Sequence, residues 1–333
     1  CFAEENRNYF NNLTPFHEIT KIQESQAYTD EFFAASERKI PVPMGIVPSI
    51  YDIISVIEVE GSQLNPAQFR DVYKILHLSH NLKSYLVKNN FPKWYEISRG
   101  LYASNKSLTS IQRVFDDDYK IKWDASPILK NLYCTLQKKQ GRIKQTMQKI
   151  FLEARENDWL EGDKVALRQG RSVLPLKANR KSKIKGIVQD QSATGQTVFI
   201  EPLAIIELNN SITALQFAIR EEESRILTEL TAFFHPIAQE LSNTAQILHH
   251  IDRHVTIANF SNKLDAIAPE LNNLGILKLD TAENPQFTLL EKPLLFILVR
   301  GIRAKQDGSF YMLSLWKHID YAQIMDMIAL KLF

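Results

Sequence analysis

Hydrophobic positions along the chain change from a helical to an alternating period and back again, and those changes mark its elements. From residue 1 to about 122 the apolar residues fall in short amphipathic runs broken by loops such as Pro41-Val42-Pro43-Met44-Gly45. A helix start stands at Asn65-Pro66, where asparagine can cap and proline suits the first turn. This stretch predicts a helical body. A second cap followed by proline, Asp124-Ala125-Ser126-Pro127, opens a segment that stays helix-compatible to about Asp158. Its apolar residues Leu129, Leu132, Leu136, Ile143, Met147 and Ile150 step by threes and fours, as a coiled-coil seam does. Gly141 inside it works against the helix by about 1 kcal/mol.

After Glu161-Gly162-Asp163 the period becomes two. Lys164–Arg168 and Ser172–Leu176 flank Gln169-Gly170-Arg171, and Gly186–Asp190 and Gln196–Ile200 flank Ser192-Ala193-Thr194-Gly195. The segment therefore predicts two hairpins. Gly170 and Gly195 fit turns that need positive φ, and Pro175 predicts that its strand lies at a sheet edge. Helical spacing returns after Glu201-Pro202 through Ile205, Leu208, Ile212, Leu215, Ile219, Ile226, Leu230 and Phe233, until Pro236 kinks or ends the helix. It resumes through Ile237, Leu241, Ile247, Leu248, Ile251 and Val255. Each long helix is expected to hold about 33 residues, roughly 50 Å at 1.5 Å per residue. Equal lengths joined by a small β element predict an antiparallel arm with that element at its tip.

Charge changes the picture only locally. The net charge of +2 over 333 residues is too small to argue for a nucleic-acid or membrane partner. Between Lys164 and Gly186, however, stand eight basic residues (Lys164, Arg168, Arg171, Lys177, Arg180, Lys181, Lys183 and Lys185) and no acidic one. A small sheet so charged suits a phosphate backbone better than a small substrate, although a solvated basic hairpin would carry the same charge. The first long helix adds Lys130, Lys138, Lys139, Arg142, Lys144 and Lys149. Phe199 is the one aromatic residue nearby, so contact to backbone or shape is expected rather than sequence readout.

Other features bound the function by what they lack. Cys1 and Cys134 form no CxxC pair and no zinc spacing, which fits a reducing compartment. The longest apolar run, Leu294–Val299, is far short of the ~20 residues of a membrane span, and no signal pattern opens the chain. A cytoplasmic protein without a membrane partner is expected. Cys1-Phe2-Ala3-Glu4-Glu5 reads as the middle of an element, so residues upstream are expected to be missing. His249, His250 and His254 share one helix, but no carboxylate completes a metal motif, and a body-facing histidine cluster is the better reading. Asp116-Asp117-Asp118 reads as a solvated acidic turn and Glu221-Glu222-Glu223 as exposed helix charge. No nucleophile stands beside a base and an orienting group in sequence.

The run Gly170-Arg171-Ser172-Val173-Leu174-Pro175-Leu176-Lys177, then Gly186-Ile187-Val188-Gln189-Asp190-Gln191-Ser192-Ala193-Thr194-Gly195-Gln196-Thr197-Val198-Phe199-Ile200-Glu201-Pro202, then Glu207-Leu208-Asn209-Asn210, closely resembles the core and clamp segment of the MutS-two branch of the MutS DNA mismatch-repair family. Asp124-Ala125-Ser126-Pro127 matches the opening of that family's first arm helix, and the resemblance covers roughly residues 10 to 290. It implies a mainly α fold with a small β insertion: a helical core, or lever, with a long antiparallel coiled-coil arm tipped by a β-hairpin clamp. The expected division is 1–158 for the core and first arm helix, 159–202 for the basic clamp, 203–290 for the second arm helix and return to the core, and 291–333 for a divergent tail.

On that resemblance Arg171 and Lys177 lie on clamp strands, and Arg180, Lys181, Lys183 and Lys185 lie in the connecting loop. These six are the candidates for nucleic-acid contact. Asp190, Gln191, Ser192 and Thr197 are expected to hold the second hairpin through side-chain to backbone bonds. The family couples its clamp to an ATPase that uses ATP and Mg²⁺, often with an Smr nuclease domain, and is linked to branched DNA, recombination suppression and rescue of stalled ribosomes. None of the eleven glycines here is followed by lysine, so the phosphate-binding loop is lacking and neither catalysis nor a cofactor is assigned to this chain. The family's His-Pro-Leu-Leu motif meets Lys292-Pro293-Leu294-Leu295, with lysine for histidine, and the resemblance ends at Phe296. The tail beyond fits a helix through Ile319, Ile324, Met327 and Leu330. The expected partner is DNA, branched or mismatched; the alternatives are a ribosome or its RNA, and a protein partner paired along the coiled-coil seam. A homodimer is a further expectation.

Overall fold

A computed structural model describes residues 1–12, 18–89 and 91–271, together with two short antiparallel strands at Arg303–Ala304 and Phe310–Tyr311. Lys292–Leu295 and the helix expected between Ile319 and Leu330 lie outside the described residues. The fold is mainly α with a small β insertion, as expected, and divides into two compact units.

The first unit comprises the described residues within Cys1–Glu58, Gln68–Leu108 and Pro236–Phe333. Its helices are α1 (Glu4–Asn11), α2 (Ile19–Glu37), α3 (Tyr51–Ile57), most of α4 (Pro66–Lys88), and α5 (Pro92–Ser98). The first part of α6 (Asn105–Val114) and, after the second unit, α9 (Ala238–Lys263) complete it. Helix α9 is its axis, packed by α1, α2 and α3 through Leu241, Leu248, Ile251, Val255 and Ala258, all buried.

Two polar nodes fix that packing. Asp252 on α9 is fully buried, and its carboxylate accepts from Phe2 N (2.9 Å), Ala3 N (3.1 Å) and Asn6 Nδ2 (2.8 Å). It thereby satisfies the orphan amides that precede α1, whose own cap position, Ala3, has no side chain able to do so. The second node is the histidine cluster. Thr29 Oγ1 donates to Ser25 O (3.1 Å), so it accepts from His254 Nδ1 at 2.8 Å. That leaves His254 Nε2 as acceptor for His250 Nε2 at 3.1 Å, with both rings against Trp94. The histidines face the body of the unit, and burial favours neutral His254.

The second unit comprises Val59–Ala67 and Thr109–His235, and its frame is the antiparallel pair α7 (Pro127–Glu156) and α8 (Leu203–Phe234). At 30 and 32 residues the helices approach the expected length. Ser126 caps α7 by accepting from Leu129 N at 3.0 Å, with Pro127 in the first turn. Along the seam Leu129, Leu136, Ile143 and Met147 of α7 are buried, as are Ile205, Ile212, Ile219, Ile226 and Leu230 of α8. Leu132, Ile150, Leu208, Leu215 and Phe233 are only half-buried, and Phe234 takes the core position expected for Phe233. Pro236 falls in a 3₁₀ turn, His235–Ile237, and so ends α8 rather than kinking it.

Glu222 corrects one reading. It is 6% exposed rather than part of a solvated charge run. Ser126 Oγ donates to its Oε1 at 2.6 Å, and Arg225 donates to both its oxygens at 2.7 Å. The α7 cap lies against α8 at that point, and a buried carboxylate there is stable only because three donors meet it. Hydrogen bonding from Arg225 holds the Glu222 carboxyl below its ordinary range despite burial. Asp116–Asp118 is an exposed turn in which Asp116 Oδ1 accepts from Asp118 N and Lys120 N at 3.1 and 2.8 Å.

Between α7 and α8 the chain forms one sheet of four antiparallel strands: β1 (Ala166–Arg168), β2 (Arg171–Lys177), β3 (Gly186–Gln191) and β4 (Thr197–Pro202), in the order β1-β2-β4-β3. The expected hairpins are present, and they share the β2–β4 ladder. The first turn has two residues, Gln169 and Gly170, both at positive φ (48° and 75°) as a primed hairpin turn requires. Strand β2 is internal, which corrects the edge placement drawn from Pro175. The ring is tolerated because Pro175 turns its backbone polar side toward residues 159–161, where its carbonyl accepts from Glu161 N at 3.0 Å. Its missing N–H therefore costs the β4 ladder nothing.

The first unit should lose stability in mild acid. Burial pushes His254 down to about 3, and His249 and His250 are also lowered, mainly by burial. Unfolded histidine, near 6.5, takes up a proton first, so the contribution is complete above about pH 6.5 and is lost as pH falls from there toward 3. The urea midpoint followed by circular dichroism should fall between about pH 7.5 and 5, with a shallower fall in His254→Gln. A midpoint constant over that window would contradict the neutral chain. Glu222, lowered in the fold, adds a separate loss at more acid pH.

Candidate nucleic-acid interface

Strand β4 reads Thr-Val-Phe-Ile-Glu-Pro, and its glutamate is where the site begins. Glu201 is 0% exposed, and a carboxylate so placed needs donors on both oxygens. Arg171 Nη1 from β2 donates to Oε1 and Oε2 at 2.9 and 3.0 Å, Gln189 Nε2 from β3 to Oε2 at 2.5 Å, and Asn209 Nδ2 from α8 to Oε1 at 2.8 Å. Asn210 Oδ1 on α8 then accepts from Arg171 Nη2 at 2.7 Å. One carboxylate thus joins three strands to the first turns of α8. Breaking one side of such a pair costs about 3–5 kcal/mol because the other charge is left buried.

Gly186 lets β3 close on β4. A Cβ there would lie 2.3 Å from Glu201 O and 2.6 Å from Ile200 Cγ2, so the register Gly186↔Pro202 admits only glycine. The turn from β3 to β4 is held as expected: Thr197 N donates to Ser192 Oγ (3.0 Å), Gln191 Nε2 to Gly195 O (3.2 Å), and Gly195 takes φ 72°. Asp190 accepts from Gln191 N at 2.8 Å and also forms an ion pair with Arg168 at 3.0 Å.

The six candidate contact residues separate into two groups. Arg171 is committed to Glu201 and Asn210, and Lys177 donates to Asp158 Oδ1 at 2.7 Å. That ammonium holds the Asp158 carboxyl below its ordinary range, although Asp158 itself is exposed. Arg180, Lys181 and Lys183 lie in a 3₁₀ turn, Ala178–Lys183, and Lys185 directly precedes β3. All four are exposed, and none forms an ion pair with another described residue; Lys164 is in the same condition. Among residues 159–202 the eight bases face four acids, and two of these, Asp190 and Glu201, are taken by Arg168 and Arg171. The surplus positive charge is therefore concentrated in the turn between β2 and β3.

Phe199 is not available to stack on a base, because the Arg168 guanidinium covers its ring at 3.9 Å from the centroid. The surplus charge of the β2–β3 turn suits a phosphate backbone. Near the end of α7 a cavity of about 320 Å³ is lined by Arg155, Asp158, Glu161, Asp163 and Lys177 among others. Its three acids outnumber its two bases, so it does not suit an anion.

Sequence reasoning missed the Glu201 node. The available signal was a lone acid at the end of an apolar strand, followed eight residues later by paired asparagines. Gly186→Ala should destabilise the second unit by about 1–3 kcal/mol in urea denaturation, as overpacking does. Gly195→Ala, strained by positive φ alone, should cost about 1–2 kcal/mol and leave the β4 register intact. Equal stability of Gly186→Ala and the parent would contradict the close approach.

The sequence has relatives. The chain is similar to a protein named Endonuclease MutS2 from Geobacillus sp. (strain WCH70), with 31% identity over 277 residues, which is 81% of this chain and 35% of that protein. The protein of the same name from Symbiobacterium thermophilum is 30% identical over 84% of this chain and 35% of its own length. That from Caldicellulosiruptor saccharolyticus is 28% identical over 84% of this chain and 36% of its own. The chain thus spans about a third of the length of these curated relatives. No protein-family model matches it.

Proposed function

We propose that this chain, a segment homologous to the MutS2 proteins, is a nucleic-acid-binding core and clamp of a MutS-like protein of DNA repair and recombination control. The observation that carries the reading is the exposed basic turn of Arg180, Lys181 and Lys183, continued by Lys185, none of which forms an ion pair among the described residues. Each side chain can neutralise a phosphate, and a structured turn holds them together on one rim of the sheet. Arg171 and Lys177 act from behind, as the struts that fix β2.

Branched DNA is the favoured target because a concentrated patch of exposed positive charge suits the path of a backbone. A ribosome or its RNA is the rival, since basic side chains alone do not distinguish the two backbones. No helix among the described residues is long and apolar enough to cross a membrane. Hydrolysis of ATP and nuclease action are not assigned to these residues.

The test is salt-dependent binding to a four-way DNA junction, a plain duplex and a structured RNA of equal length. The parent is compared with Arg180→Ala/Lys181→Ala/Lys183→Ala/Lys185→Ala. The parent should bind the junction best, and the variant should lose about 3 to 4 from the slope of log K against log salt. All four changes are on exposed side chains, so the variant should unfold at the same urea concentration. Preference for RNA would transfer the reading to the ribosome. Absence of binding to all three by the folded chain would overturn it.

A further inference from the structure

Helix α7 contains a glycine that packing does not explain. Gly141 lies mid-helix, the placement where glycine is among the least favourable residues, and a Cβ built on it would meet nothing within 4 Å. It does not adopt positive φ, so no backbone conformation demands glycine there. By helical spacing it lies away from the buried seam of Leu136, Ile143 and Met147. Its neighbours on the helix surface are Lys138 and Lys144, three residues to either side, and Gln137 and Gln145, four residues to either side. All four are exposed, and Arg142 and Lys149 extend the same charge. The result is a notch in the helix surface ringed by two ammonium groups and two amides.

The charge around the notch is not that of an ordinary solvated face. From Pro127 to Leu152 α7 carries six bases and no acid, and none of the six forms an ion pair with another described residue. On α8, by contrast, Arg225 is paired with both Glu222 and Glu229. Lys138 and Arg142, one turn apart, repel each other, which works against the helix as the glycine does. Two unfavourable choices at one exposed place point to an anionic occupant that approaches closely.

We propose that the Gly141 notch of α7 is a second nucleic-acid contact, in which a phosphate group rests against the helix backbone between Lys138 and Lys144. This rests on the nucleic-acid reading of the chain but uses a different surface from the β2–β3 turn. The absence of a side chain at Gly141 admits the phosphate; the lysines neutralise it; the glutamine amides can donate to its oxygens. No base edge is read there, so the contact adds affinity without sequence preference.

The test separates shape from charge in the full chain on a DNA duplex of about 40 base pairs, long enough to engage both surfaces. Gly141→Leu fills the notch without altering any charge, Lys138→Ala/Lys144→Ala removes charge without altering the notch, and the basic-turn variant serves as reference. Gly141→Leu should unfold at a higher urea concentration than the parent, since leucine favours helix, and yet bind the duplex about tenfold more weakly. The double lysine variant should lose about 2 from the salt slope. Parent binding, with Gly141→Leu and the lysine variant both unchanged, would overturn the notch and leave the basic turn as the contact. Failure of the parent to bind would remove both. Equal displacement of the duplex by poly-glutamate of matched charge would assign the surface to acidic protein and overturn the phosphate contact.

Discussion

The carboxylate of Glu201 is the constraint on which the small sheet of this protein depends. A buried charge is tolerated only when its desolvation is offset by donors, and here β2, β3 and α8 each supply one or more. None of those elements could move independently without leaving a charge or an amide unsatisfied. The sheet has only four short strands, too few to build a large core, so this polar joint does what apolar area cannot. It makes a basic turn on a small sheet into a defined surface rather than a set of mobile side chains.

The same solution recurs at the other end of the helix pair, where Glu222 binds the α7 cap through Ser126 and is itself held by Arg225. In the first unit Asp252 anchors the start of α1 by the same means. In each case a strand or helix carries a buried acid that reaches residues remote in sequence. Apolar seams bring these elements together, but an apolar seam tolerates shifts along its length. The buried acids fix the register.

Much of the architecture was legible in the sequence because it rests on local signals. Caps such as Ser126 with Pro127, the three-and-four steps of Leu129 to Met147, and glycine at the Gly170 and Gly195 turns declare themselves within a few residues. The errors came where distant contacts override local signals. Pro175 looks like an edge residue until residues 159–161 are seen to cover its blank side. Glu222 looks solvated until Ser126, 96 residues away, is seen to reach it. The charge of Arg171 was visible in the sequence, and its partner Glu201, 30 residues on, was not. The exposed turn from Arg180 to Lys185 was legible in position and charge, and that none of its bases forms an ion pair among the described residues required the structure.

The most direct measurement is the affinity of Glu201→Gln for the four-way DNA junction at a fixed salt concentration. If charge alone governed binding, removing a negative group from a basic tip would tighten it. If Glu201 fixes the surface that carries the charge, the neutral variant releases Arg171 and loosens the sheet, and binding weakens. The account predicts at least a severalfold loss in a variant that remains folded, with the loss greatest for the junction. Affinity equal to or tighter than that of the parent would contradict it.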